Sequence, residues 1–301
     1  MKLSVIVSVY NEEKVLRLFY NEIINILNGF DYELIFVNDG STDQSQTIIE
    51  EFFLQNKDVK SISFSRNFGH EAAMIAGIDY ATGRVIVCMD SDLQHPPEMI
   101  LQMLQCYMSK GVDIINMVKT NVHKRGFSVL FYKLINKISP YQLEPNASDF
   151  FLISERIANI LRNDYRERVR FLRGFIQILG FKKTSIRYEV AKRQAGESKY
   201  PLSKLISLSI AAVTTLSRKP LKISIYMGFI FGFLGFMLAI YSIIMKIVQQ
   251  PVSGYTTIIV FISIVSSVQF IILGIIGQYV GFLFEEQKQR PIYIVDKTNN
   301  F

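Results

Sequence analysis

Tryptophan is absent from the 301 residues, and cysteine occurs only twice, at Cys88 and Cys106. Two cysteines build no disulfide framework, which excludes a stapled secreted scaffold and fits a reducing, cytosolic setting for the soluble part. Neither Gly-x-Gly-x-x-Gly nor Gly-x-x-x-x-Gly-Lys-Ser/Thr occurs, so dinucleotide and P-loop readings have no support. Internal repeats and low-complexity tracts are missing too. Met1-Lys2-Leu3 runs straight into a β-type segment, so no signal peptide is expected. The chain is not acidic: its net charge is +7. Half of it is hydrophobic, and the excess gathers towards the C-terminus. The cations therefore read as partners for anionic headgroups and phosphates at a membrane rather than for nucleic acid.

The most informative stretch is Val85-Ile86-Val87-Cys88-Met89-Asp90-Ser91-Asp92-Leu93-Gln94-His95-Pro96-Pro97. Its apolar, β-branched start reads as a buried strand, which the prolines end. Asp90 and Asp92 thus fall at the carboxyl end of a strand, where open α/β sheets place ligands. Two carboxylates at i and i+2, followed by the Gln94 amide, suit a hard divalent cation that keeps waters and bridges substrate phosphates. A turn rich in Asp and Ser is the plain alternative.

Strands are expected at 3–9, 32–37, 59–64 and 112–118, with helices at 12–28, 43–55, 70–80 and 97–109. Ser41 or Thr42 is the expected cap of the second helix. This alternation implies a mostly parallel sheet covered on both faces. Asp39 either accepts hydrogen bonds from a base or ribose or simply shapes an Asp-Gly turn. Residues 127–138 carry an apolar stripe, either facing a core or lying at a membrane interface. Further helices are expected at 154–163 and 167–179, and a strand at 183–188. Asp149 precedes the first of these. Residues 192–200 hold the cations Lys192, Arg193 and Lys199 on either side of a flexible stretch with Gly196 and Ser198; they form either a solvated linker or a loop closing on phosphates.

Residues 223–245 and 256–284 are each long enough to cross a hydrocarbon core, which needs ~20 residues. Arg218, Lys219 and Lys222 precede the pair and Lys288 and Arg290 follow it, while the connection carries only Lys246. The positive-inside rule therefore expects both termini in the cytoplasm.

In order, Ser-Val-Tyr-Asn-Glu at 8–12, Val-Asn-Asp-Gly-Ser-Thr-Asp at 37–43, Arg-Asn-Phe-Gly-His-Glu-Ala-Ala at 66–73, Asp-Ser-Asp-Leu-Gln-His-Pro-Pro-Glu at 90–98 and Arg-x-x-Gly-x-Ser-Lys-Tyr at 193–200 make up a pattern. It resembles the polyisoprenyl-phosphate glycosyltransferases of glycosyltransferase family 2. That group includes dolichol-phosphate mannose synthases and bacterial undecaprenyl-phosphate glucosyltransferases of the GtrB type. The likeness covers nearly the whole chain. It implies a GT-A (Rossmann-like) α/β domain over 1–200, a juxtamembrane amphipathic helix over 201–222, a transmembrane hairpin over 223–284 and a cytosolic tail over 285–301. It also implies a bacterial plasma-membrane setting, a UDP-linked sugar as favoured donor, a polyprenyl phosphate acceptor, Mg²⁺ or Mn²⁺, and a homo-oligomer, a tetramer by family resemblance.

Carried over by position, Asp90, Asp92 and Gln94 hold the metal, and Tyr10, Glu12, Asp39, Gly69 and Asp90 serve the nucleotide sugar. Lys119, Arg125, Arg193, Ser198 and Lys199 grip phosphate. Asp92 and Asp149 are the implied catalytic pair; Asp149 acts as base, orients acceptor or sugar, or only caps a turn. Lys119 stands where an arginine is more familiar, Ser8 replaces the usual proline, and Asn38 the usual aspartate. Processive polysaccharide synthases carry Gln-x-x-Arg-Trp, which a chain without tryptophan cannot. A scaffold or flippase subunit is the rival from another class; it fits poorly with two acid-free spans and an intact Asp90 and Asp92.

Overall fold

The computed structural model describes residues 1–120, 136, 143–168, 171–190, 217, 219–248 and 254–301. These fall into two compact units: residues up to 190 together with 290–301, and residues 217–289.

The first unit is built on β1 (Leu3–Val9), α1 (Leu16–Leu27), β2 (Tyr32–Asn38), α2 (Ser45–Gln55), β3 (Val59–Phe64), α3 (His70–Tyr80), β4 (Val85–Asp90), α4 (Met99–Lys110) and β5 (Ile114–Lys119). It continues through β6 (Ala147–Ser154), α5 (Glu155–Asn163), α6 (Leu172–Ile178) and β7 (Lys183–Tyr188). With β8 (Val295–Asn299), the strands form one eight-stranded sheet in the order β7-β5-β6-β4-β1-β2-β3-β8. Strands β4, β1, β2 and β3 run parallel, as do β5 and β7, while β6 is antiparallel to both β4 and β5.

Side-chain alternation along β1 explains the layers. Leu3, Val5, Val7 and Val9 pack with Leu16, Phe19 and Ile23 of α1, Ile49 of α2 and Met103 of α4. Ile6 faces the other way, into a core shared with α3, Ile157 of α5 and Leu172 and Ile176 of α6. Helix α3 lies close on β1 because residue 77 is glycine: a Cβ there would overlap the Ile6 side chain. Gly77→Val is therefore expected to cost at least about 1–3 kcal/mol through overpacking, read as a lower thermal midpoint. An unchanged midpoint would contradict the close approach.

The sheet also contains a charge. Glu33 on β2 is 1% exposed. Its carboxylate accepts bonds from Ser4 Oγ (2.5 Å), Thr82 N (2.6 Å), Thr82 Oγ1 (2.9 Å) and Lys60 Nζ (2.8 Å), with Lys2 Nζ at 3.2 Å. Burial pushes its pKa up, but these donors outweigh burial and hold it at about 2.

Three features differ from the sequence expectations. Helix α2 begins at Ser45, and neither Ser41 nor Thr42 caps it: Asp43 Oδ1 accepts the Ser45 amide at 2.9 Å, while Ser41 Oγ accepts the Asn11 amide at 3.0 Å. Strand β6 occupies 147–154, where no strand was expected. The segment expected as a cytosolic tail returns to the sheet, with β8 (Val295–Asn299) antiparallel to β3. Tyr293 stacks on Phe64 at 5.2 Å and donates its hydroxyl to Asp79 Oδ2 at 2.7 Å, which also fixes this segment.

The second unit holds α7 (Lys219–Ile247) and α8 (Tyr255–Gln287), of 29 and 33 residues. At 1.5 Å per residue either exceeds the roughly 30 Å of a hydrocarbon core. Both are long and apolar enough to cross a membrane, and they expose large apolar side chains such as Phe229, Phe233, Phe270 and Phe284. The juxtamembrane helix expected over 201–222 lies mostly outside the described residues; its last part, from Lys219, opens α7. The apolar stripe of 127–138 and the cationic loop of 192–200 also lie outside them.

Candidate active site

The parallel strands end level with one another. Ser8 pairs in register with both Val37 and Asp90. Strand β6 runs the other way, and its last register pair with β4 is Cys88 with Phe151. Two residues further along each strand stand Asp90 and Asp149, so an antiparallel strand carries Asp149 to the same sheet edge as the acid pair.

Asp90 closes β4, its side chain 30% exposed. Ser8 Oγ lies 3.3 Å from its Oδ1, and His70 Nδ1 3.4 Å. His95 Nδ1 accepts the Asp90 amide at 3.1 Å. That ring is buried against Phe150, at 5.1 Å between centroids, and burial lowers its pKa, consistent with a neutral acceptor. Burial pushes the Asp90 carboxyl up, and His70, His95 and Lys119 together bring it below its ordinary value. The loop beyond is tightly shaped: Leu93 has a φ of 59°, and Asp92 Oδ1 accepts the Gln94 amide at 3.1 Å. A leucine in this region is disfavoured by roughly 1–2 kcal/mol, so the turn that presents Asp92 is imposed by its surroundings.

Asp39 is 2% exposed. Its carboxylate accepts the Phe68 amide at 2.6 Å and the Gly69 amide at 3.0 Å, and burial raises its pKa. It braces the β3–α3 loop, where Gly69 takes a φ of 99° that favours glycine. Tyr10 is 47% exposed at the end of β1. Glu12 lies in the next loop, its amide donating to Ser45 Oγ at 2.9 Å. Lys119 closes β5. Arg125, Arg193, Ser198 and Lys199 lie outside the described residues.

Sequence reasoning singled out neither His70 nor Arg173. His70 Nε2 lies 4.0 Å from Asp149 Oδ2, and Arg173 Nη1 3.7 Å from the same oxygen. Burial lowers the His70 pKa, but Asp90 and Asp149 more than reverse it, so it ends raised. Burial and the Asp149 charge lift Glu71 to about 7, which limits further negative charge near neutral pH. His70 stood inside a quoted motif and could have been found. Arg173 carried no local signal, since only the tertiary fold brings α6 to this edge.

Among the described residues, no three or more His, Cys, Asp or Glu side chains form a ready-made metal cage. Asp90, Asp92 and Gln94 instead offer a short set of hard oxygens, which suits a cation that takes its remaining ligands from water and substrate oxygens.

The mixed sheet, helices on both faces and the acid pair at the tip of β4 define a GT-A glycosyltransferase. Solved structures agree on the fold: glucosyl-3-phosphoglycerate synthase from Mycobacterium tuberculosis, solved with Mn²⁺, UDP and phosphoglyceric acid, superimposes with a TM-score of 0.52 at 17% identity, covering 71% of this chain and 77% of that one. Glycosyl transferase family 2 matches residues 4–160. The Bacillus subtilis glycosyltransferase YkcC is 37% identical over 98% of this chain and 93% of its own length. The SfII prophage-derived bactoprenol glucosyl transferase of Shigella flexneri is 34% identical over 99% of each chain. The chain belongs to glycosyl transferase family 2 and is a glycosyltransferase.

Proposed function

We propose that the protein transfers a hexose, with glucose from UDP-glucose as first choice, to undecaprenyl phosphate at the cytoplasmic face of a bacterial membrane, with inversion. The observation that carries this reading is one sheet edge holding Asp90, Asp92 and Asp149 in a chain whose full-length relatives include bactoprenol glucosyl transferases. A lipid phosphate oxygen attacks the anomeric carbon, a carbon–oxygen bond to that phosphate forms, and the bond to the nucleoside diphosphate breaks. A single displacement turns an α-linked donor into a β-linked product. The acceptor phosphate has a second pKa near ~6, so it is already anionic at neutral pH and needs little help from a base. Asp149 then orients the acceptor or sugar.

Asp90, Asp92 and Gln94 would hold Mg²⁺ or Mn²⁺, which would supply charge neutralisation for the departing diphosphate. Tyr10 and Glu12 flank the nucleoside, and Asp39 shapes its wall through Phe68 and Gly69. Lys119, with Arg125, Arg193, Ser198 and Lys199, serves the phosphates. Helices α7 and α8 form a hairpin with both termini cytoplasmic. Support comes from β8, which follows α8 yet pairs with β3, as an even number of crossings requires.

The test is to incubate purified protein and undecaprenyl phosphate with radiolabelled UDP-glucose, UDP-N-acetylglucosamine and GDP-mannose. Label in the lipid fraction from UDP-glucose is expected; no lipid label from any donor would overturn the proposal. Arg193 provides a second expectation. Arg193→Lys keeps the charge but loses the two-pronged geometry, and should reduce transfer about 10-fold against about 100-fold for Arg193→Ala. Full turnover by the lysine variant would remove the argument for a forked phosphate contact.

A further inference from the structure

We infer that His70 is a positioning residue that holds Asp149 on β6 in register with Asp90 on β4. The inference rests on the sugar-transfer reading above and names the group that fixes its second carboxylate.

The two nitrogens of the ring have separate surroundings. Nδ1 lies 2.8 Å from Ser8 Oγ and 3.4 Å from Asp90 Oδ1. Ser8 Oγ itself lies 3.3 Å from Asp90 Oδ1. A serine hydroxyl has one proton to give. When that proton goes to Nδ1, the neutral ring carries its own proton on Nε2, so Nδ1 is committed to Ser8 on β1 and Nε2 is left as the donor. Nε2 is buried and has no hydrogen-bond partner among the described residues. The carboxylate facing it is Asp149, with Oδ2 at 4.0 Å. That is too long for a hydrogen bond, yet a small rotation of Asp149 would close it. Leaving a buried donor unmet is unfavourable, which favours closure. Active-site hydrogen bonds also commonly tighten only when substrate is bound.

The ring itself is not free to drift. His70 opens α3 directly after Gly69, whose amide is held by Asp39 at 3.0 Å. Ser8 matters here as well, since its hydroxyl supplies the 2.8 Å contact to Nδ1. Arg173 approaches the same Asp149 oxygen at 3.7 Å, so His70 and Arg173 together define where that carboxylate stands. This is the arrangement in which one group orients another that meets the substrate, and loss of such an orienting group typically costs 10–100-fold in activity.

His70→Leu is expected to lower kcat about 10–100-fold while the donor KM stays within about threefold. In an Asp149→Asn background the same change should alter kcat less than about twofold, because the group it acts through is already altered. His70→Gln, whose amide reaches the Nε2 position, should recover most of the turnover; His70→Asn, whose amide reaches only Nδ1, should not. Multiplicative losses in the double variant, or wild-type kcat in His70→Leu, would overturn the inference.

A second readout does not need turnover. The chain has three histidines, so ¹⁵N-histidine NMR can follow each ring. Asp149→Asn should move the His70 Nε2 resonance more than either of those of His95, while Ser8→Ala should move His70 Nδ1. A His70 Nε2 signal unmoved by Asp149→Asn would overturn the link even in active enzyme. Absence of lipid label from wild-type protein with every donor would instead overturn the proposed function, and the resonance test would still decide the role of His70.

Discussion

Asp92→Ala is expected to abolish sugar transfer with every donor, by about 1000-fold or more, in a protein that still folds. Ground state and transition state differ most in the charge shed on the leaving diphosphate. A cation clamp there is worth several kcal/mol, and each 1.36 kcal/mol is tenfold in rate. Asp92 sits in a partly exposed loop beyond β4 rather than in either apolar core, and its Oδ1 accepts the Gln94 amide at 3.1 Å. Losing that bond loosens one turn and leaves the sheet intact. The check pairs a lipid-label assay with a thermal melt. Wild-type turnover would remove Asp92 from the site, and a collapsed melting midpoint would make the residue structural.

Glu33→Ala should give the largest stability loss, about 3–5 kcal/mol, because removing one member of a buried ion pair strands the others. Lys60 would remain 14% exposed without its carboxylate, and Ser4 and Thr82 would lose their acceptor. The same group gives a pH dependence of definite sign. Its folded pKa of about 2 lies below the ordinary value of 4.5. Its contribution is therefore fully present above pH 4.5 and disappears as pH falls towards 2. The shift corresponds to about 3 kcal/mol. Cys88 is fully buried while Cys106 is partly exposed, so in a Cys106→Ser background a thiol-reactive dye added during heating reports opening of the domain. Glu33→Ala should lower the midpoint at pH 7 and flatten its fall between pH 4.5 and 2. An equal midpoint at pH 7, or an unchanged acid slope, would mean that the network adds little.

Much of the domain could be read from sequence because its strands carry long β-branched runs closed by polar turns, as at Val85–Asp90. Helix α3 falls at 70–80, where the sequence places it. Strand β6 escaped because Ala147-Ser148-Asp149 has little strand character; β6 is set by pairing with β4 and β5 on either side. Missing that strand also hid why Asp149 lies at the same sheet edge as Asp90. The cap of α2 was misread because Ser41 is engaged by Asn11 of a neighbouring loop, a contact 30 residues away in sequence. Strand β8 was missed for a similar reason. Val295-Asp296-Lys297-Thr298-Asn299 is polar, and only the open edge of β3 gives it a partner. Asp39 stood out in the sequence as a candidate, but its bonds to the Phe68 and Gly69 amides did not, since backbone amides leave no trace in composition.

The most direct measurement is transfer of radiolabelled glucose from UDP-glucose to undecaprenyl phosphate in vesicles carrying the purified protein, before and after removal of divalent ions. Lipid label that vanishes on chelation and returns with Mg²⁺ or Mn²⁺ is the expected result. Lipid label formed at full rate without divalent ions would contradict the role given to Asp90, Asp92 and Gln94.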